Sequence, residues 1–338
     1  MTPKYKYHFH LPTAKERQNR KELQGKLTCP KCGKKTFVPY LDANGKIVDK
    51  AKYGRCERVN SCAYIKYPSS DKAPTKTQST AKTQTRPKPK ATFLNEKQRE
   101  EIFKPSLSGY DMNHLITFLK GLFDEGMVDQ IITEYFIGTS QHFNGGATVF
   151  WQIDRYSNIH RGKVMQYDPN TGKRVKIKGK GLVTSIHSLN DLGDLPPQCL
   201  FGEHLLPKYP DMFVGIVESE KTAIIASGVI TDCIFLACGG CQNLTIAMCK
   251  PLRGRNVVLF PDNGRFTRYQ DKNGKWQDGW SEKGKQLRHL FKTLQIADIM
   301  ERPDIMEQYD LKDGDDIGDL IIARNLDIKG LDLGFKEL

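Results

Sequence analysis

The chain has 338 residues, with 52 lysines and arginines against 39 aspartates and glutamates, a formal net charge of +13. That length carries two or more domains with proper cores. With no apolar run long enough to span a bilayer and no apolar leader at its start, it is expected to be a soluble protein of the cytoplasm with no membrane partner. The charge is unevenly placed. Residues 1–100 carry 24 Lys and Arg against 8 Asp and Glu, whereas the rest carry 28 against 31. A basic excess confined to one third of a chain points to a polyanion, and to nucleic acid first, because Lys and Arg contacts to phosphate dominate such affinity. The plainer alternative is a solvated tail that aids solubility.

From the N-terminus, Tyr5, Tyr7, His8, Phe9 and His10 mix aromatic and basic character but carry no element pattern. Four of the nine cysteines are then grouped, Cys29 and Cys32 as Cys-x-x-Cys, and Cys56 and Cys62 after 23 intervening residues. Cysteines used inside a cell argue for metal or burial before disulfides. Gly33 permits the tight turn behind the first pair. Between the pairs, Thr36–Tyr40 and Lys46–Val48 read as a hairpin turned at Asn44-Gly45. Four thiolates around a hairpin make a structural zinc ribbon, expected within a basic N-terminal segment 1–67. The stretch 68–91 turns to Lys, Thr, Gln, Ser, Ala and Pro, which cannot bury a core and is expected to be a flexible, positively charged linker.

A middle α+β domain is expected over 92–200. Leu115, Phe118, Leu119 and Leu122 recur at helical spacing, and Val128, Ile131, Ile132 and Tyr135 repeat the pattern. Strand-like stretches follow at Ala147–Ile153, Ile159–Tyr167 and Arg174–Ile177, with turns at Asn144-Gly-Gly146, Ser157-Asn158 and Asn170-Thr-Gly172. Arg161, Lys163, Lys173, Arg174, Lys176, Lys178 and Lys180 could line a basic groove beside Trp151 and Tyr167, or be ordinary solvent-facing positions. No nucleophile–His–acid grouping stands out.

The last domain is expected over 201–338. Val214, Ile216 and Val217 form the short apolar run of a strand buried on both faces, and Glu218 and Glu220 fall at its C-terminal edge, where open α/β sheets place ligand sites. Asn256-Val-Val-Leu-Phe-Pro repeats the arrangement and ends on Asp262. A third acidic group, Asp313-Gly-Asp-Asp-Ile-Gly-Asp319, precedes the apolar Leu320–Ala323. Carboxylates from successive strand ends suit Mg²⁺, which wants oxygen ligands and keeps waters for phosphate. Each segment is also explained as a helix cap or dipole partner. Lys221 stands where it could reach a phosphate oxygen, or be a surface lysine. Gly239-Gly240, after a strand at Cys233–Ala237, allow backbone approach to phosphate or a plain turn. Arg253 and Arg255 are weaker candidates, and Cys238 and Cys241 are left out of the metal site.

The order and spacing of these acids resemble the Toprim domain of bacterial-type primases and topoisomerases. By that resemblance Glu218 takes the strand-end Glu position, Asp262 the first Asp of an Asp-x-Asp pair, and Asp316 and Asp319 the later Asp-x-x-Asp segment. Gly264 departs from the pattern, standing where the second Asp of the pair would be. Through Gly54–Cys62, Phe150–Asp154, Gly162–Asp168 and Val217–Thr222, most of the chain from Cys29 onward resembles primase-like proteins of Bacteroidetes mobile elements: zinc ribbon, mixed middle domain and a mainly parallel α/β Toprim domain. The resemblance implies primase-type nucleotidyl transfer, with Mg²⁺ or Mn²⁺ at Glu218, Asp262, Asp316 and Asp319, and Lys221 assisting catalysis. It implies single-stranded DNA and nucleoside triphosphates as partners, a replicative helicase as a further one, and a template-reading role for the zinc segment. The alternatives are a non-catalytic DNA-binding accessory protein with a degenerate Toprim core, favoured by Gly264, and a Toprim nuclease.

Overall fold

A computed structural model describes residues 9–12, 16–17, 21–23, 25–42, 44–49, 52–58, 62, 64–66, 93–193, 196–271 and 273–338. The linker expected over 68–91 and the early residues Tyr5, Tyr7 and His8 lie outside them. The chain forms two units, Met1–Thr85 and Arg86–Leu338.

In the first unit, β2 (Leu27–Thr28), β3 (Lys35–Pro39), β5 (Gly54–Cys56) and β6 (Ile65–Lys66) make an antiparallel sheet, while β1 (Phe9–His10) pairs with β4 (Leu41–Asp42). The turn expected at Asn44-Gly45 is present. Asp42 Oδ1 accepts the Asn44 and Lys46 amides at 2.9 and 2.8 Å, and Leu41 bridges Ile47. This short hairpin extends from the end of β3, and the main sheet continues instead through β5 and β6.

The second unit opens with a helical stretch over 96–106, then α1 (His114–Leu122) and α2 (Glu125–Tyr135). Asn113 starts α1: its Oδ1 accepts the Leu115 and Ile116 amides and the Thr148 hydroxyl, satisfying end amides that the helix leaves open. Asp124 caps α2 through the Met127 amide. An antiparallel sheet follows, in the order β12 (Val183–Ser185), β9 (Ile159–Met165), β8 (Ala147–Ile153), β7 (Gly138–Ser140). Every residue of β8 is buried, because Ala147, Val149, Trp151 and Ile153 pack into one cluster while Phe150 packs into another. The expected strand Arg174–Ile177 shrinks to β10 (Lys176–Ile177), which turns back into β11 (Lys180–Gly181), with Arg174 bridging Tyr167. The short α3 (Ile186–Leu189) follows β12.

The C-terminal half is an open sheet in the order β14 (Cys233–Ala237), β13 (Phe213–Val217), β15 (Asn256–Leu259), β18 (Thr293–Ala297), β19 (Phe335–Glu337), parallel except for the edge strand β19. Its connections carry α4 (Glu220–Ser227), α5 (Ile246–Cys249), α6 (Trp280–Leu287), α7 (Pro303–Gln308) and α8 (Ile317–Ala323), with a two-stranded hairpin, β16 (Tyr269–Gln270) and β17 (Trp276–Gln277), ahead of α6. The chain leaves β13 for β14 on one side and returns to β15 on the other. The carboxyl ends of β13 and β15 therefore flank the switch point, the crevice where open α/β sheets bind ligands. The apolar core runs without interruption from α1 and α2, through Phe150 and Tyr167, into the parallel sheet. The acids at Asp313–Asp319 precede α8, whose first turn Asp316 caps, so they arrive from a helix start and not from a strand end as Glu218 and Asp262 do.

Candidate functional site

In the first unit the two halves of the sheet bring Cys29, Cys32, Cys56 and Cys62 together. Their sulfur atoms all lie within 4.8 Å of one another, the sole gathering of three or more potential ligand atoms this close among the described residues. Cys29, Cys56 and Cys62 are buried. The Lys34 backbone amide holds the Cys32 thiol down to about 6, and the Thr36 hydroxyl, 3.1 Å from Cys56 Sγ, lowers that thiol too. Burial pushes Cys62 up to about 11. Four convergent sulfurs, two of them biased toward thiolate, fit a tetrahedral zinc ion, and the site is structural because no position is left open.

In the second unit, Glu218, Asp262, Asp316 and Asp319 line one cavity of about 180 Å³ together with Lys163, Arg174 and Lys221. Each carboxylate arrives by a local device. Ser219 caps α4 by accepting the Thr222 amide at 3.1 Å, so the helix starts two residues after β13 and leaves Glu218 at the strand's edge. There the Trp280 indole donates to Glu218 Oε1 at 3.3 Å. Asp262 follows Phe260-Pro261 beyond β15, in a turn closed by the Arg265 amide on the Asp262 carbonyl at 3.0 Å. Asp316 and Asp319 form a capping box. Asp316 Oδ1 accepts the Gly318 and Asp319 amides, and Asp319 Oδ2 accepts the Asp316 amide at 3.1 Å. Asp316 Oδ2 also accepts the Thr222 hydroxyl, which ties α8 to α4.

Burial and like charge act together here. Burial pushes Glu218 above the ordinary carboxylate range, and the Trp280 donor only partly offsets it. Asp262 is driven well up by burial and then by the charges of Glu218, Asp316 and Asp319. Asp316 rises to about 6 through burial and its neighbour Asp319. Asp262 Oδ1 is shut off from solvent and accepts no hydrogen bond from any described residue. A buried carboxylate oxygen with no donor among the described residues, facing another carboxylate, suits a divalent cation that takes one or two carboxylates and completes its shell with water. Glu218 and Asp262 supply that pair, whereas the oxygens of Asp316 and Asp319 already serve α8, Thr222 and Lys221.

Several sequence candidates fall in unexpected places. Lys221 is largely buried and pairs with Asp319 Oδ1 at 3.3 Å. Of the seven basic residues proposed for a groove, Lys163 and Arg174 line the cavity, while Arg161 donates to the Pro196 carbonyl. Trp151 is fully buried, its indole on Ser106 Oγ at 3.0 Å, so it lines no groove. Arg255 is structural, donating to the Leu206, Tyr209 and Met212 carbonyls. Gly240 lies by Glu218: a Cβ there would stand 3.9 Å from Glu218 Oε2. Cys238 and Cys241 are buried thiols beside backbone carbonyls. Lys163 reaches from β9 to both oxygens of Glu220, at 2.8 and 3.1 Å, an ion pair that the sequence analysis missed. The signal available was only a lysine and a glutamate 57 positions apart.

Residues 113–263 match the family model of a domain of unknown function (DUF6371), and residues 7–77 match that of a zinc beta-ribbon finger. The first match begins at the α1 cap and ends one residue past Asp262, covering the antiparallel sheet and strands β13, β14 and β15 of the parallel one. The second encloses the four cysteines, and with their geometry it supports structural zinc. No curated protein matches the chain. Among solved structures, the chain is similar to a DnaG primase catalytic domain bound to ssDNA, at 12% identity and a TM-score of 0.36 over 60% of this chain and 72% of that one. For the Escherichia coli primase catalytic core the values are 11%, 0.35, 58% and 67%. For a DNA primase domain from Pseudomonas aeruginosa they are 12%, 0.31, 65% and 63%. Among the described residues, no helix is long and apolar enough to cross a membrane.

Proposed function

We propose that the chain is a primase-type nucleotidyltransferase that synthesises a primer on single-stranded DNA from nucleoside triphosphates. The observation that carries this reading is the shared cavity. Carboxylates with an unsatisfied buried oxygen lie beside three cations, the pairing that phosphoryl transfer requires. Glu218 and Asp262 would hold Mg²⁺ or Mn²⁺. When bound, that ion supplies charge neutralisation and activation of the attacking hydroxyl. Arg174 would face the triphosphate and offset its charge, while Lys163 is held at the cavity wall by Glu220. Lys221 is held by Asp319 and stands ready to exchange that partner for a phosphate oxygen. Thr222 and Asp316 fix α8 against α4, so that these groups keep their positions as the pyrophosphate leaves. The exposed run Lys173, Arg174, Lys176, Lys178 and Lys180, with no acidic residue between 169 and 182, extends positive charge outward from the cavity along a strand's phosphates.

A second reading, a non-catalytic DNA-binding accessory protein, is favoured by one observation. Gly264 occupies the position of a further acid, and Asp313 Oδ1 sits 2.2 Å from where its Cβ would be. Template-dependent incorporation of labelled nucleotides with Mg²⁺ or Mn²⁺ separates the two. The enzyme reading expects short products that Glu218→Gln abolishes while strand binding persists. Unchanged synthesis in that variant would remove Glu218 from the chemistry, and absence of products from the wild type with binding intact would establish the accessory role.

A further inference from the structure

Between the Asp262 turn and α6 the chain makes an excursion, residues 265–279, with no counterpart in the other strand-to-helix connections. Its base is closed by the Trp280 and Ser281 amides on the Arg265 and Phe266 carbonyls, at 3.0 and 2.9 Å. Its tip is closed by Asp271, whose Oδ1 accepts the Asn273 and Lys275 amides and whose Oδ2 accepts Gln277 Nε2. In this two-stranded ribbon Gln270 lies opposite Trp276, so Arg268, Gln270, Trp276 and Asp278 share one face. Trp276 is 55% exposed there, whereas Trp151 and Trp280, the other two of the chain's three tryptophans, are fully buried. The Arg268 guanidinium stands 5.9 Å from the Trp276 ring centre and 3.7 Å from Asp278 Oδ1. The ribbon is anchored at the carboxylate cavity from both ends. Arg265 bonds the Asp262 carbonyl and favours the charged forms of Glu218 and Asp262, while Trp280 donates to Glu218.

An indole this exposed, at the side of a two-stranded hairpin, covers no core. Its neighbours on that face are polar or charged, so it is not part of an apolar patch suited to another protein. A flat aromatic ring with an arginine beside it, on a hairpin whose base is bonded to Glu218 and Asp262, has the chemistry of a base-stacking platform. We propose that the Trp276 face of this hairpin stacks an unpaired base of a single-stranded nucleic acid and holds the strand beside the Glu218–Asp262 cavity. The inference rests on the reading of that cavity as a nucleotidyl-transfer site.

The decisive measurement is tryptophan fluorescence of the full-length protein titrated with oligothymidylate at fixed ionic strength. Trp276 is the one solvent-exposed tryptophan, so saturable quenching and protection from acrylamide report on it. Trp276→Ala should abolish the quenching and weaken binding, measured by anisotropy of a labelled oligonucleotide, by roughly tenfold, with the salt dependence unchanged. Trp276→Phe should restore most of the affinity. Binding by Trp276→Ala equal to wild type, or a wild type that oligothymidylate does not quench, would overturn the proposal. So would equal quenching by free thymidine triphosphate, which would assign the ring to the incoming nucleotide. The two readings fail separately: normal synthesis by Glu218→Gln with a binding defect in Trp276→Ala sinks only the catalytic assignment, and the converse pattern sinks only the platform.

Discussion

At Gly264 the backbone stands at φ +72°, in the left-handed region where a Cβ is strained, and the Asp313 carboxylate fills the space a side chain would take. Asp313 in turn lies 3.4 Å from Arg265. An acid at position 264 would therefore meet both an unfavourable conformation and a like charge, which is a physical reason for the departure from the Asp-x-Asp pattern. Gly264→Ala is expected to cost about 1–3 kcal/mol in denaturant unfolding. Adding Asp313→Ala should recover only the steric part, because the backbone strain stays. A Gly264→Ala protein as stable as wild type would show that the turn relaxes freely. Glu218 was legible in the sequence, since a buried apolar run followed by Glu-Ser-Glu marks both a strand edge and a helix cap. The cations opposite it were only half legible. Lys163 and Arg174 stood out as basic, but their direction depends on how β9 and the β10–β11 hairpin meet a sheet that begins only at Phe213.

Elements defined by an apolar pattern were the easiest to anticipate: α1, α2, β8 and the parallel strands β13, β14 and β15 all carry it, whereas β18 went unread. Those built from polar turns were not. The hairpin 265–279 has two-residue strands without apolar alternation, so nothing in its composition distinguishes it from loop. The acids ahead of α8 carried two readings in the sequence, because Asp-x-x-Asp serves equally well as a metal motif and as a capping box. The Asp154 turn between β8 and β9 is a similar polar device. Its carboxylate accepts the Tyr156 and Asn158 amides at 2.9 Å each and Asn158 Nδ2 at 3.0 Å, and meets His160 Nε2 at 3.1 Å. Burial alone would raise this acid, but the bonds from Asn158, His160 and Tyr156 outweigh it, so Asp154 is held below its ordinary value. A lowered folded-state value stabilises the fold above the unfolded Asp pKa, and that contribution disappears as pH falls through the folded one. Asp154→Ala should thus cost roughly 0.5–3 kcal/mol at neutral pH, with the gap to wild type closing below about pH 4. Parallel urea curves at the two pH values test this; a gap that stays constant would mean that the carboxylate's charge is not what holds the turn.

At the scale of the molecule, the two units differ in what holds them. The Arg86–Leu338 unit shares a core that runs through both sheets, large enough to be stable without any ion. The zinc ribbon's own centre consists of Phe37 and the buried cysteines 29, 56 and 62, with Leu27, Cys32 and Tyr64 packed around them, and Leu23, Val38, Tyr40, Leu41 and Tyr53 are the other buried apolar side chains among the described residues of that unit. A core this small does not offset the chain entropy of ordering the ribbon, and zinc binding is expected to supply most of its folding free energy. Chelation of the full-length protein should therefore abolish the ribbon's unfolding transition and leave the melting of the larger unit where it was. Cys29→Ser should reproduce this, with zinc content falling from one per chain toward zero by metal analysis. Acid should act in the same direction as the chelator. Each zinc–sulfur bond requires a thiolate, and burial keeps Cys62 protonated up to about 11 until a cation arrives, so zinc must displace that proton and its hold weakens as pH falls. If the basic N-terminal third supplies the chain's grip on nucleic acid, zinc removal lowers strand affinity while the Trp276 fluorescence response survives at higher oligonucleotide concentration. A ribbon that keeps its transition after complete zinc removal would show that its hydrogen-bonded sheet, not the metal, carries the fold.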